Sequence, residues 1–233
     1  MKIILGGGGG SGNFGHEGRP GEVGGSSPKS LADTVNALPF WRLDKELKDY
    51  SEISASFAET LSDQEKRTLF NWSDDTWYPL FNRLLRKGYL EENPPPKVVA
   101  YSDFIKRAIQ TLDKIFETKA FEFSEDTVVY RYLKHAPYSE FFKLEEGDIL
   151  EDKGFVATSR GLNWSPGGLY TDVTRLRIHV KKGTPFIPIG SVSYHPYEEE
   201  ILLNRGSRFR VLATTWDSTD LNGRAIYDVE LLQ

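Results

Sequence analysis

The sequence contains no cysteine, which removes disulfide frameworks, thiol nucleophiles and cysteine-ligated metals, and leaves no redox clue to compartment. Histidine is scarce as well. His16, His135, His179 and His195 show no ligand spacing among themselves or with nearby carboxylates, so no metal is expected. There is no G-x-S-x-G elbow and no G-K-[ST] loop. No apolar run approaches membrane-spanning length, and MKIIL is too short for a signal-peptide core. Neither a membrane segment nor a classical signal is therefore expected. A place in a bacterial cytoplasm, secretion by another route and delivery within a particle are all compatible with that. An excess of basic charge is also missing: the net charge of -5 gives no footprint for nucleic acid or an anionic membrane.

What is present begins with glycine, crowded into the N-terminal segment. Gly10, Gly12 and Gly15 (GSGNFG) follow the apolar MKIIL and match the G-x-G-x-x-G dinucleotide fingerprint, with Asp33 at about the expected distance beyond. The fingerprint needs a helix behind it to face a pyrophosphate. The following HEGRPGEVGGSSPKS has no apolar period and is too rich in glycine, proline and serine to supply one. Residues 1–29 are expected to form a flexible leader. Residues 30–233 are expected to form one domain, helical over 30–120 and β-rich over 121–233.

The helical half opens with a capping box at Ser62-Asp63-Gln64-Glu65, before a helix through Leu69 and Phe70. A second helix runs from Tyr78 to Arg86 and should stop at Gly88. EENPPPK reads as a stiff connector, and Ser102 is expected to cap a third helix carrying Ile105, Ala108, Ile109, Leu112, Ile115 and Phe116. After Phe123 the period becomes two. TVVYRYL (127–133) and VTRLRIHV (173–180) read as strands, with His179 on the polar face of the second. Further strands are expected at 154–159, 186–189, 200–203, 208–213 and 225–232. Helices first and strands second, without βαβ alternation, give an α+β fold.

Three features carry possible chemistry. Arg131 lies inside an apolar strand, where a charge needs a partner or an exposed face. GFVATS (154–159) ends in the hydroxyls of Thr158 and Ser159. Tyr197-Glu198-Glu199-Glu200 leads into the apolar strand ILL, and an extended backbone would turn Glu198 and Glu200 to one face. Each alone has an ordinary reading: a solvated arginine, sheet hydroxyls, a surface acidic cluster.

Their order resembles the R-S-E class of mono-ADP-ribosyltransferases, nearest to the bacterial binary-toxin and C3-like branch. The likeness extends from about Leu61 to Val211. EEEILLNRGSRFRVL is its most specific piece, and Tyr78-Pro-Leu-Phe-Asn82-Arg-Leu-Leu-Arg86 resembles the family helix that lines the nucleotide cleft. The resemblance implies a split pair of antiparallel sheets with helices packed on one side. It also implies NAD as substrate, no metal, and a monomer that transfers ADP-ribose to a protein partner and releases nicotinamide. By resemblance, Glu200 holds the nicotinamide ribose and stabilises the developing cation, and Arg131 binds the NAD phosphates. Tyr78 and Asn82 line the cleft. Thr158 and Ser159, the remaining hydroxyls of the family's S-T-S, are likewise implied to bind NAD, and Tyr132 borders the adenine pocket.

Glu198 looks like the glutamate of arginine-modifying members, where a carboxylate can pair with a guanidinium and take its proton. The accessible arginine of a protein is the implied acceptor. Tyr194 and Tyr197 stand where relatives place a substrate-contacting aromatic, and Trp164 or Tyr170 lies in the loop that covers the nicotinamide. Two positions depart from the pattern: Ala157 replaces the first serine of S-T-S, and Tyr132 stands where many members have glycine. The leader is similar to linkers of phage minor-head proteins. Alternatives are a catalytically weak or inactive module of a phage particle, and an NAD glycohydrolase without a protein acceptor.

Overall fold

The computed structural model describes residues 2–4, 41–87, 96–134, 144–160, 173–217 and 224–232. The glycine fingerprint, Gly88 and the loop holding Trp164 and Tyr170 lie outside them. Lys2–Ile4, assigned to the leader from sequence, forms an edge strand (β1).

The helices are α1 (Trp41–Thr60), α2 (Asp63–Ser73), α3 (Tyr78–Lys87), the short α4 (Pro96–Ala100) and α5 (Ser102–Lys119). The capping box on α2 is present, with the Ser62 hydroxyl and the Glu65 carboxylate each holding the other residue's amide. Two local expectations are corrected. Ser102 is the first residue of α5 rather than its cap; Tyr101 takes the cap position without a side-chain bond, so packing rather than capping fixes this end. The last proline of EENPPPK opens α4, where a missing N–H costs nothing in a first turn. α5 buries Ile105, Ala108, Ile109, Leu112, Ile115 and Phe116 in one stripe, as the sequence period requires.

The strands are β2 (Phe121–Glu122), β3 (Thr127–Lys134), β4 (Ile149–Asp152), β5 (Val156–Ser159), β6 (Val173–Val180), β7 (Pro185–Pro188), β8 (Glu200–Leu203), β9 (Ser207–Asp217) and β10 (Arg224–Leu232). They join in the order β1-β4-β9-β10-β6-β3-β5-β8-β7-β2. The pairs β1–β4 and β6–β10 are parallel, so the sheet is mixed rather than antiparallel throughout. β6 and β10 can run the same way because three intervening strands bring the chain back. The expected split is visible at one place. β3 and β5 share only the pair Tyr130↔Ser159, whereas β3 and β6 pair along their whole length.

Two cores hold this arrangement. One gathers Val129, Leu133, Leu150, Leu176, Ile178, Val211 and Val229 with Val156, Ile201 and Leu203, and so unites strands from both sides of the split. The other sets Phe155, Ile187 and Leu202 against Trp72, Phe81, Leu112 and Ile115 of the helices. Burial of each such side chain contributes about 1.5–3 kcal/mol. Successive residues of β5 and β8 alternate between the two cores, so these strands form the wall separating them.

Candidate active site

Where β3 and β5 part, Arg131 fills the gap. Its side chain is buried and donates from Nη1 to the Ala157 carbonyl at 3.2 Å, while Nη2 lies 3.6 Å from Asp152. The charge inside the apolar strand therefore has a partner rather than an exposed face. Asp152, fully buried at the end of β4, also receives the Arg86 fork, with Nε and Nη2 each at 2.8 Å. One carboxylate thus serves two arginines, and it accepts the Gly154 amide at 2.9 Å as well. Burial opposes the Arg86 charge, but Asp152 and then the Tyr78 hydroxyl outweigh it and hold its pKa above the ordinary value.

Tyr78, Asn82 and Arg86 recur at i, i+4 and i+8 and share one stripe of α3. Asn82 is fully buried, and neither its Oδ1 nor its Nδ2 has a protein partner. Its Oδ1 lies so near Gly154 that a Cβ there would sit 2.2 Å away, so only glycine permits this approach. Arg131 Nε is likewise buried without a partner. Two arginines on one carboxylate leave a single net positive charge here, beside buried Asn82 and Arg131 atoms with unused hydrogen-bonding capacity. Tyr132, one residue beyond Arg131, lies under the Arg175 guanidinium, 5.3 Å from ring centre to Cζ.

Glu200 opens β8 directly across from Ser159 on β5. Its carboxyl group is buried, which raises the pKa from 4.5 to about 8. The Glu198 charge pushes the same way, while the Trp72 N–H and Arg131 pull it back. Trp72 Nε1 is buried and meets no acceptor in regular hydrogen-bond geometry, so its pull on Glu200 is weaker than that of a formed bond.

Glu198 and Glu200 do not lie on one extended strand. Glu198 ends a 3-10 turn (Pro196–Glu198), and Glu199 adopts a left-handed conformation at φ 47°. No other non-glycine residue among those described has positive φ, and such a conformation costs a side-chain-bearing residue about 1–2 kcal/mol. The turn lifts Glu198 to a half-exposed position while Glu200 stays buried. Ser159 donates to the Glu198 carbonyl at 2.9 Å and Thr158 to the Ile201 carbonyl at 2.7 Å. Both hydroxyls thus hold the main chain around the two glutamates. Ala157 has no hydroxyl to offer; its carbonyl accepts from Arg131 and its methyl packs against the helical core.

The approach to Glu198 is aromatic. Tyr194 and Tyr197 are exposed, with His195 between them; His195 Nδ1 lies 3.1 Å from the Tyr197 hydroxyl, and Phe70 meets Tyr194 edge to face. His179, far along the sheet, has a different role. It lies 3.3 Å from Asp228, a carboxylate that burial would raise but that His179 and Arg177 hold below its ordinary value.

The structure thus gathers Arg131, Thr158, Ser159, Glu198 and Glu200 around the junction of β3, β5 and β8, with the Tyr78–Asn82 stripe joined to it through Arg86 and Asp152. Sequence reasoning did not single out Tyr50, Trp72 or Asp152. Asp152 had a usable signal, an acid directly before the Lys-Gly that leads into β5; Tyr50 and Trp72 read as ordinary helix residues. Among the described residues no helix is long and apolar enough to cross a membrane, and no cluster of side chains could hold a metal ion.

Residues 48–233 match the family model for ADP-ribosyltransferase exoenzymes. No curated protein sequence matches the chain. The fold is similar to that of Plx2a, an ADP-ribosyltransferase toxin from Paenibacillus larvae, with TM-score 0.64 and 18% identity over 82% of this chain and 97% of that one. It is also similar to BECa, an ADP-ribosylating toxin of a C. perfringens binary enterotoxin solved with NADH, with TM-score 0.60 and 18% identity over 80% of this chain and 48% of that one. A third likeness is to Vis, an ADP-ribosyltransferase from Vibrio splendidus solved with agmatine, with TM-score 0.54 and 22% identity over 84% of this chain and 86% of that one. With a match over most of its length and a fold to agree, the chain belongs to the ADP-ribosyltransferase exoenzyme family.

Proposed function

We propose that this protein transfers ADP-ribose from NAD to an arginine of a target protein. The observation that carries the acceptor is the pairing of a half-exposed Glu198 with a buried Glu200 two residues on, the first held by Ser159. The R-S-E set is Arg131, the Thr158–Ser159 hydroxyls and Glu200. Arg131 and Arg86 supply charge for the diphosphate, with Tyr78, Asn82 and Tyr132 along its path.

In the reaction the bond from ribose C1′ to the nicotinamide nitrogen breaks, and its electron pair leaves with nicotinamide. The ribose acquires oxocarbenium character. A carboxylate at Glu200 stabilises that charge in surroundings where water does not screen it. Glu200 must be ionised to do so, and an arriving cationic nicotinamide ribose lowers the pKa that burial has raised. A guanidinium nitrogen then bonds to C1′ and its proton passes to Glu198. A guanidinium is otherwise protonated and a poor nucleophile, which is why the acceptor carboxylate is needed. The complexes of BECa with NADH and of Vis with agmatine, a guanidinium compound, support a nicotinamide dinucleotide and a guanidinium acceptor as the ligands here.

The test is incubation with NAD and a protein mixture, followed by mass spectrometry. ADP-ribose on arginine, released by neutral hydroxylamine, supports the proposal. Nicotinamide release with no modified protein or guanidinium compound would make the protein an NAD glycohydrolase. No NAD binding at all would leave an inactive member of the family, a reading that Ala157 favours.

A further inference from the structure

The segment Ile189–Glu200, which carries both glutamates, is fastened to the helices by hydroxyls. Tyr50 and Ser54 stand one turn apart on α1 and are both buried. The Tyr50 hydroxyl donates to the Glu200 carbonyl at 2.5 Å and accepts the Gly190 amide at 3.0 Å. The Ser54 hydroxyl donates to the Pro188 carbonyl at 3.1 Å and accepts the Ser191 amide at 2.7 Å. From α2, the Ser73 hydroxyl accepts the Tyr194 amide at 2.7 Å. The Glu200 carbonyl also takes the Ile189 amide at 3.1 Å, so Tyr50 closes the loop where its two ends meet.

We propose that Tyr50, with Ser54 beside it, is a positioning residue that fixes the loop 189–200 and hence the relative placement of Glu198 and Glu200. The proposal rests on the transferase reading for its kinetic consequence, though not for the clamp itself. Three observations support it. First, a Cβ on Gly190 would lie 2.9 Å from the Tyr50 hydroxyl, so glycine is needed for the loop to reach it. Second, Arg160 lies over the Tyr50 ring, 5.3 Å from its centre, and its amide faces the Glu199 carbonyl at 3.5 Å. The left-handed residue is thereby held from the same side. Third, burial pushes the Tyr50 pKa up, so the hydroxyl keeps the proton it donates throughout the working range. A loop containing a strained residue between two acidic groups stays in one shape only if its surroundings impose it. Here helical hydroxyls, more than 130 residues away in sequence, do so.

The decisive variant is Tyr50→Phe, which keeps the ring and removes only the hydroxyl. Amide hydrogen exchange on the full chain should show residues 189–200 exchanging about tenfold faster, with α5 unchanged. Nicotinamide release should fall roughly tenfold in kcat with KM for NAD altered by less than about twofold, since the clamp acts on the reacting groups rather than on dinucleotide binding. Gly190→Ala should reproduce both effects, and the double variant should add little. Unchanged exchange over 189–200 overturns the clamp. A wild-type protein that releases nicotinamide, paired with a Tyr50→Phe variant of equal kcat, overturns the positioning role. If the wild type releases none, the transferase reading fails and the exchange measurement still decides the clamp. If Tyr50→Phe loses protection everywhere, Ser54→Ala must show the local acceleration; its absence there also overturns the proposal.

Discussion

The Ser159 hydroxyl donates to the main-chain carbonyl of Glu198 across 2.9 Å. The bond joins β5 to the turn that precedes β8 and carries the half-exposed glutamate. Removing it should loosen Glu198 without reaching the dinucleotide.

Ser159→Ala should therefore lower transfer to a guanidinium acceptor by several-fold to roughly tenfold, the equivalent of one neutral hydrogen bond. Nicotinamide release in the absence of acceptor should change less. Parallel assays of nicotinamide and of ADP-ribosylated agmatine measure both. An equal loss in the two assays would place Ser159 on the dinucleotide instead.

Activity should rise with pH through the value at which Glu200 ionises. With its pKa raised to about 8, kcat/KM for nicotinamide release should climb about tenfold per pH unit below that value and level off above it. Because Glu198 and Glu200 influence each other, the midpoint belongs to the pair. Two variants should move it in opposite directions. Glu198→Gln removes a like charge and shifts the limb to lower pH; Trp72→Phe removes a favourable N–H and shifts it to higher pH. A flat profile from pH 6 to 9 would contradict the role given to Glu200.

The same burial has a cost in stability, and its sign is definite. Glu200 holds its proton more tightly in the folded state than in the unfolded chain. Its contribution is therefore fully present below about pH 4.5 and is lost as pH rises through about 8. Glu200→Gln has no such group, so above pH 8 it should be the more stable protein, by on the order of a few kcal/mol, while losing transferase activity. Thermal melts of both proteins at pH 6 and pH 9 test this. A gap that does not widen at pH 9 would contradict the burial argument.

Asp152 is the counter-charge of both Arg86 and Arg131. Asp152→Asn should leave two buried guanidinium groups uncompensated and cost about 3–5 kcal/mol of stability. For a domain of this size that lowers Tm by roughly 2–4 °C for each kcal/mol. A melt within a degree or so of wild type would show that water reaches the pair.

What could be read from the sequence was local. The Ser62–Glu65 capping box, the stripe on α5 and the alternation of β6 lie within a few residues of one another, and each appears as expected. Arg131 was legible because a charge inside VVYRYL contradicts its own strand. β4 was not foreseen: ILED is four residues long and its buried acid reads as a solvated turn. The bend at Glu199 also has no local signal, since glutamate rarely adopts positive φ and an isolated E-x-E suggests an extended strand. Tyr50 and Ser54 could not be found either, because their partners lie on a loop that only the tertiary fold brings to α1.

The arginine assignment is tested most directly by Glu198→Gln, assayed with NAD and agmatine at a pH where Glu200 is ionised. The variant should still release nicotinamide while forming ADP-ribosylated agmatine at least about a hundredfold more slowly than wild type, as expected when an acceptor's base is removed. Transfer to agmatine at the wild-type rate would contradict the role of Glu198 and, with it, arginine as the acceptor.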